Sequence, residues 1–461
     1  TANVAIGRAA LSNQNGAGTP YNVAVGYNAA SSLTTATQST VIGGLAGDAL
    51  TTGSYNTVLG YNALGSEDTG GKNTAIGWNA MSSLDAGGNG NNVSVGFNSS
   101  TAMTTSVAST VVGSEAGRAI TTGNYNTVLG YLALSTEDEG SHNVAIGYLA
   151  LQDQDVSSDA YNVAVGSNAG KEITTGIYNT LLGGLAGDAL TTGSSNVAIG
   201  LNALGGEDTG SDSVAIGRSA LLVQNYDGSA YNIAIGRDAG KSISTGIRNT
   251  LIGGLAGDAI TSASNNTAIG MFALSAETGG GKNTALGYGA LETQNVNGDG
   301  FNVAVGYEAG NDITTGTKNV IIGGLAGDAL TTGGFNIAIG YAALSTEDGH
   351  GHNVAIGREA LFAQNADAEA YNVAIGDLAG KSVTTGIRNT LIGGLAGDAI
   401  TTGVDNIAIG FEALTTEDVG SLSVAIGRGA LKVQNVDGNI YNIAIGTYAG
   451  TAITSGAQNT L

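Results

Sequence analysis

Short apolar triplets recur along the chain, each preceded by a polar residue and closed by glycine. Val4-Ala5-Ile6-Gly7, Val23-Ala24-Val25-Gly26, Thr57-Val58-Leu59-Gly60 and Thr74-Ala75-Ile76-Gly77 show the form, with Asn3, Asn22, Asn56 and Asn73 standing just before them. Three residues are too few for a helical stripe and suit a short strand, whose first and third side chains share one face while the second takes the other. The larger third residue is expected inside. The small middle alanine then leaves the other face close enough to pack against something.

The closing glycines keep a fixed spacing. From Gly7 they fall at Gly26, Gly43, Gly60 and Gly77, steps of 19, 17, 17 and 17 residues, and the pattern runs without a slip to Gly446. The steps sum to 70, so Gly43, Gly113, Gly183, Gly253, Gly323 and Gly393 are equivalent. A strict period of this size belongs to coils that cannot bury an apolar face alone and must stack on their neighbours. The prediction is an all-β parallel β-solenoid, or β-roll, of about 26 coils of 17 or 19 residues with a 70-residue super-repeat. It forms one continuous domain over residues 1–461, and at ~4.8 Å per coil the expected rod is ~125 Å long.

Positions within a coil can be counted from this glycine. Alanine at +3 (Ala10, Ala29, Ala46, Ala63, Ala80) fits a tight corner, and a second glycine at −7 (Gly53, Gly70, Gly123, Gly140) marks the opposite one, so each coil is expected to hold two short strands and two turns. Two coils in four carry a branched apolar residue at −10, as with Leu50, Ile173, Leu190 and Ile243. In the other two the apolar anchor moves to +4 (Leu64, Met81, Leu134, Leu151), position −10 turns polar, and the coil is expected to bulge outward. The Asn ladder at −4 reads as structural, with amides bonding from coil to coil. A catalytic or glycan-attachment role is the alternative.

Aromatic residues recur at +1: Tyr27, Tyr61, Trp78, Phe97, Tyr131, Tyr148, Tyr288, Tyr307 and Tyr341. An apolar stripe along a soluble rod marks an interface, and a homotrimer or other bundle would bury it. Composition narrows the partners further. The chain has 77 glycines and one proline but no Gly-X-Y triplet, so its glycine serves turns. Against 37 acidic residues stand 15 Lys and Arg, a formal net charge of −22, which argues against a nucleic-acid groove. Cysteine is absent, no run of about 18 apolar residues predicts membrane insertion, and no charged-then-apolar leader opens the chain. Gln458-Asn459-Thr460-Leu461 begins another coil, so the chain is expected to be a segment of a longer polypeptide.

The repeated Asn-Val-Ala-Ile-Gly and Asn-Thr-Ala-Ile-Gly strings, spaced by one coil and followed by alanine at +3, resemble the YadA-like head repeats of trimeric autotransporter adhesins. Similar repeats occur in phage tail and receptor-binding fibres. The resemblance covers the whole chain and implies a left-handed roll with three chains side by side, surface adhesion to a cell-surface or host receptor, and an extracellular, cell-surface or virion-fibre location.

Chemistry is sparse. The sharpest candidate is an acidic ledge at −10 and −9: Glu67-Asp68, Glu137-Asp138, Glu207-Asp208, Glu347-Asp348 and Glu417-Asp418, with Glu277 alone in its unit. The next coil carries Asp155, Asp227, Asp299, Asp367 and Asp437 in the same region. Stacking is expected to bring Glu207 and Asp208 to Asp227, Glu347 and Asp348 to Asp367, and Glu417 and Asp418 to Asp437. Such oxygen-rich groups suit calcium, and a solvated acidic loop is the plainer reading; no other cofactor is implied. Gly-Gly-Leu-Ala-Gly-Asp at 43–48 reads as a tight corner rather than a calcium-binding nonapeptide. His142, His350 and His352 do not recur at equivalent places, and His350 and His352 lack a third ligand. No nucleophile with a base is discernible and the carboxylate pairs sit in polar loops, so the chain is not expected to be an enzyme. The expected function is a structural and adhesive fibre shaft or adhesin head that displays loops for multivalent attachment. A self-assembling extracellular filament stacking end to end is the alternative, and an ice-binding array on the Thr-Thr-Gly corners is a minor one.

Overall fold

A computed structural model describes residues 2–15, 19–366 and 368–461. The chain is all-β: 26 three-residue strands, from Val4–Ile6 to Ile443–Ile445, form parallel ladders in a β-solenoid. The register is that of the glycines. Val23, Ala24 and Val25 pair with Thr40, Val41 and Ile42, which pair in turn with Thr57, Val58 and Leu59. Two compact units, Thr1–Tyr231 and Asn232–Leu461, hold thirteen strands each.

The regular glycine has a steric cause. Gly26 sits at φ +140, in a backbone region that disfavours any Cβ, and a Cβ there would collide with the carbonyl oxygen of Gly43 in the next coil. Each strand ends where consecutive coils approach backbone to backbone.

The inward face is the reverse of the expected one. The middle strand residue is buried: Ala24, Ala75, Ala145, Leu181 and Ile321 are all fully enclosed. The third residue faces out, with Ile6 59% and Leu59 46% exposed. The interior is thin, and it is already filled by the +3 alanines and by leucines such as Leu50 and Leu64. The middle side chain, whether Ala24, Leu181 or Ile321, is the one that meets them, and the flanking pair is turned outward.

Among the described residues each coil also holds one strand rather than two. On the far limb Asn62 and Leu64 have φ 55 and 52, left-handed values that no pleated strand can continue. Coil-to-coil hydrogen bonds persist there, as from Leu64 N to Ala80 O at 2.9 Å, together with isolated parallel bridges such as Ser211 to Ser229.

The Asn ladder bonds mainly to backbone. Asn126 Oδ1 accepts the N–H of Asn143 at 2.9 Å, and its Nδ2 donates to Gly140 O at 2.9 Å. Both partners lie in the following coil. Buried side chains that satisfy main-chain groups in this way hold register without stacking amide on amide.

Candidate functional site

The glutamates at −10 do not bulge into solvent. Glu67, Glu137, Glu207, Glu277, Glu347 and Glu417 are fully buried, in the place that Leu50 or Ile173 takes in other coils. The local turn exposes main-chain N–H groups to the interior, and the carboxylate receives them. Gly140 N donates to Glu137 Oε1 at 2.6 Å, and Gln154 Nε2, one coil on, donates to Oε2 at 2.7 Å. The same glutamine pairs recur at Gln224–Glu207 (2.9 Å), Gln294–Glu277 (3.0 Å) and Gln434–Glu417 (3.0 Å). Glu67 faces buried Leu84 in that place and accepts Ala86 N at 3.0 Å instead. Burial pushes the Glu137, Glu207 and Glu417 carboxyls above the ordinary glutamate range, against the glutamine and main-chain donors that pull them down.

The companion aspartates are exposed at Asp68 and Asp348 and half-buried at Asp138, Asp208 and Asp418, and their neighbours differ from unit to unit. The residue 17 positions beyond Asp68 and Asp138 is Asp85 and Asp155, whereas beyond Asp208 and Asp418 it is Asn225 and Asn435. Glu67, Asp68 and Asp85 bring ligand oxygens within 4.8 Å of one another, as do Glu137, Asp138 and Asp155. Among the described residues Glu207, Asp208 and Asp227 form no such group, nor do Glu417, Asp418 and Asp437. The 19-residue coil widens at this point: Gln224 meets Glu207 at an offset of 17, but Ser229 bridges Ser211 at 18. Asp227 therefore comes opposite Thr209, whose hydroxyl it accepts at 2.8 Å. Asp367 lies outside the described residues. A third group within the same 4.8 Å limit joins Glu347 and Asp348 to His350, a ligand set the sequence reading did not assemble.

The exposed face of the strand ladder carries the largest chemical feature. In one coil Tyr55 and Tyr61 are 55% and 51% exposed and flank outward-facing Thr57 and Leu59, while Asn56 and Val58 point in. The expected +1 aromatics stack: Trp78 on Phe97 at 5.0 Å, Tyr131 on Tyr148 at 5.9 Å, Tyr288 on Tyr307 at 5.5 Å. A second ladder at −5 runs on the other side of the strands, with Tyr125–His142–Tyr161–Tyr178 at 5.0, 4.7 and 5.9 Å and Phe335–His352–Tyr371 at 5.1 and 4.9 Å. Its signal in the sequence is an aromatic residue directly before the ladder Asn, as in Tyr21-Asn22 and Tyr55-Asn56.

His142 and His352 both belong to this second ladder and occupy equivalent places three units apart, which corrects the expectation that no histidine recurs. Each also meets a carboxylate of the next coil, Asp159 at 3.4 Å and Glu369 at 2.7 Å. Compared with protein-family models and with curated proteins, the chain finds no match.

Proposed function

We propose that the chain is a non-catalytic structural and adhesive shaft segment that associates with two further copies through the outer face of its strand ladder. The observation that carries this reading is the double aromatic ladder, with rows such as Tyr55, Thr57, Leu59 and Tyr61 presented together. Aromatic rings bury roughly 150–250 Å² each, and these rows, interrupted at positions such as Gly184, Arg218 and Asp377, offer apolar patches of the kind that marks an interface. Repetition also suits multivalent attachment, in which many weak contacts act together. The reading places the chain outside the cell or on a virion fibre, with a cell-surface or host receptor as its partner.

Light scattering on the purified chain tests the assembly: a mass of three chains is expected, and a monomer at micromolar concentration overturns it. Electron microscopy of the same sample distinguishes discrete particles from open filaments, which would favour end-to-end assembly instead.

A further inference from the structure

We propose that Glu347, Asp348 and His350 form a binding site for one divalent transition-metal ion of the zinc class. The inference rests on how this unit departs from its siblings. The residue three beyond each buried glutamate is glycine at Gly70, Gly140, Gly210, Gly280 and Gly420, and histidine only at His350. At those glycines a Cβ would collide with the carboxylate of the buried glutamate. His350 carries that Cβ, and the local hydrogen bonding differs accordingly.

In the four sibling units with glutamine, its amide reaches the glutamate at 2.7–3.0 Å. Here that bond is absent. Among the described residues Glu347 Oε2 and Gln364 Nε2 have no hydrogen-bond partner, although both side chains are fully buried. His350 Nδ1 is buried and unpartnered as well, 3.6 Å from Glu347 Oε1. Glu347 keeps main-chain N–H groups of His350 and Ala366 as donors, but two electron-pair donors without a side-chain hydrogen bond stand beside an acidic third residue, and one bound cation would answer both.

The donor set identifies the cation. Imidazole nitrogen with carboxylate oxygen suits zinc, cobalt or nickel, whereas calcium takes oxygen ligands alone. The 3.6 Å separation of His350 Nδ1 from Glu347 Oε1 is near the edge of a tetrahedron with bonds of about 2.0–2.1 Å. The three ligand atoms lie within 4.8 Å of one another, so a rotation of the exposed Asp348 side chain completes the approach from solvent. Water fills the remaining position.

Cobalt(II) titration of the tag-free chain, followed in the visible spectrum with zinc as competitor, provides the test. One equivalent should give ligand-field bands that zinc abolishes. His350→Gly restores the residue found in five sibling units and should fold; it should weaken binding by at least about tenfold, and Asp348→Asn should also weaken it. His142→Gln and His352→Gln should retain the full equivalent. Absence of cobalt or zinc binding to the unsubstituted chain overturns the proposal, as does unchanged binding in a folded His350→Gly chain, shown by an unaltered circular dichroism spectrum.

Discussion

Gln154 donates its side-chain amide to Glu137 over 2.7 Å, and both side chains are fully enclosed within adjacent coils. A carboxylate in such a place depends on every donor around it, because burial without partners is costly and burial with them is tolerated. Removing one member therefore harms more than removing both. Glu207→Ala should destabilise the chain by about 2–4 kcal/mol, since Gly210 N loses its acceptor and Gln224 Nε2 keeps only Ser213 Oγ. Combined replacement by Glu207→Leu and Gln224→Leu should cost less, because leucine already fills the corresponding places at Leu50 and Leu84. Thermal unfolding of the two variants checks the order.

Acid should stabilise the chain over part of its range. Glu67, Glu137, Glu207, Glu347 and Glu417 are pushed upward, first by burial, as are Asp48, Asp188, Asp258, Asp328 and Asp398. A carboxyl whose folded value lies above its unfolded one binds its proton more tightly when folded. Its contribution is complete below the unfolded value and is lost as pH rises through the folded value. Glu359, Glu369 and Asp405 move the opposite way, each first because of a hydrogen bond from a basic side chain, and are fewer. The melting temperature should therefore rise as pH falls from 7 toward about 5, and a Glu137→Gln, Glu207→Gln, Glu417→Gln chain should rise less. A melting temperature that falls over this interval contradicts the assignment.

Two adjacent glycines should behave oppositely. Gly253 lies at φ +139, where a Cβ would press on the carbonyl of Gly270, while a Cβ at Gly254 meets nothing within 4 Å. Gly253→Ala should cost more than about 2 kcal/mol, and Gly254→Ala should fall within about 0.5 kcal/mol of the parent. Calorimetric melts of the two variants decide it.

Charge on the outer strand face should prevent association. Leu59→Glu with Leu129→Glu places carboxylates among half-exposed aromatic rows, and the light-scattering mass should drop from three chains to one. Ser83→Glu, on an exposed turn, should leave it unchanged. Equal masses for all three chains would remove the outer face from the assembly.

The coil spacing, the strand positions and the Asn ladder were legible in the sequence because each reflects a backbone requirement that repeats: Gly26 where coils meet, Asn22 where a main-chain N–H needs an acceptor. Which face turns inward was not. Alternation in Thr57-Val58-Leu59 separates two faces without ranking them, and side-chain size does not rank them either, since Leu181 takes the same inward place as Ala24. The ledge glutamates misled for a related reason. Glu67 beside Asp68 reads as one polar corner, yet main-chain donors draw the first inside and leave the second in solvent.

The buried glutamates carry one more consequence. Successive coils are nearly interchangeable in shape, so a chain built from them alone would fold almost as well displaced by one step. Glu67 follows Leu50 and precedes Met103 along the apolar interior, and a displaced carboxylate would keep Gly70 N of its own coil but lose Ala86 N of the next and face such side chains instead. One acidic residue in every four coils thus gives each coil an address, and the penalty for a wrong address falls on the misaligned chain alone.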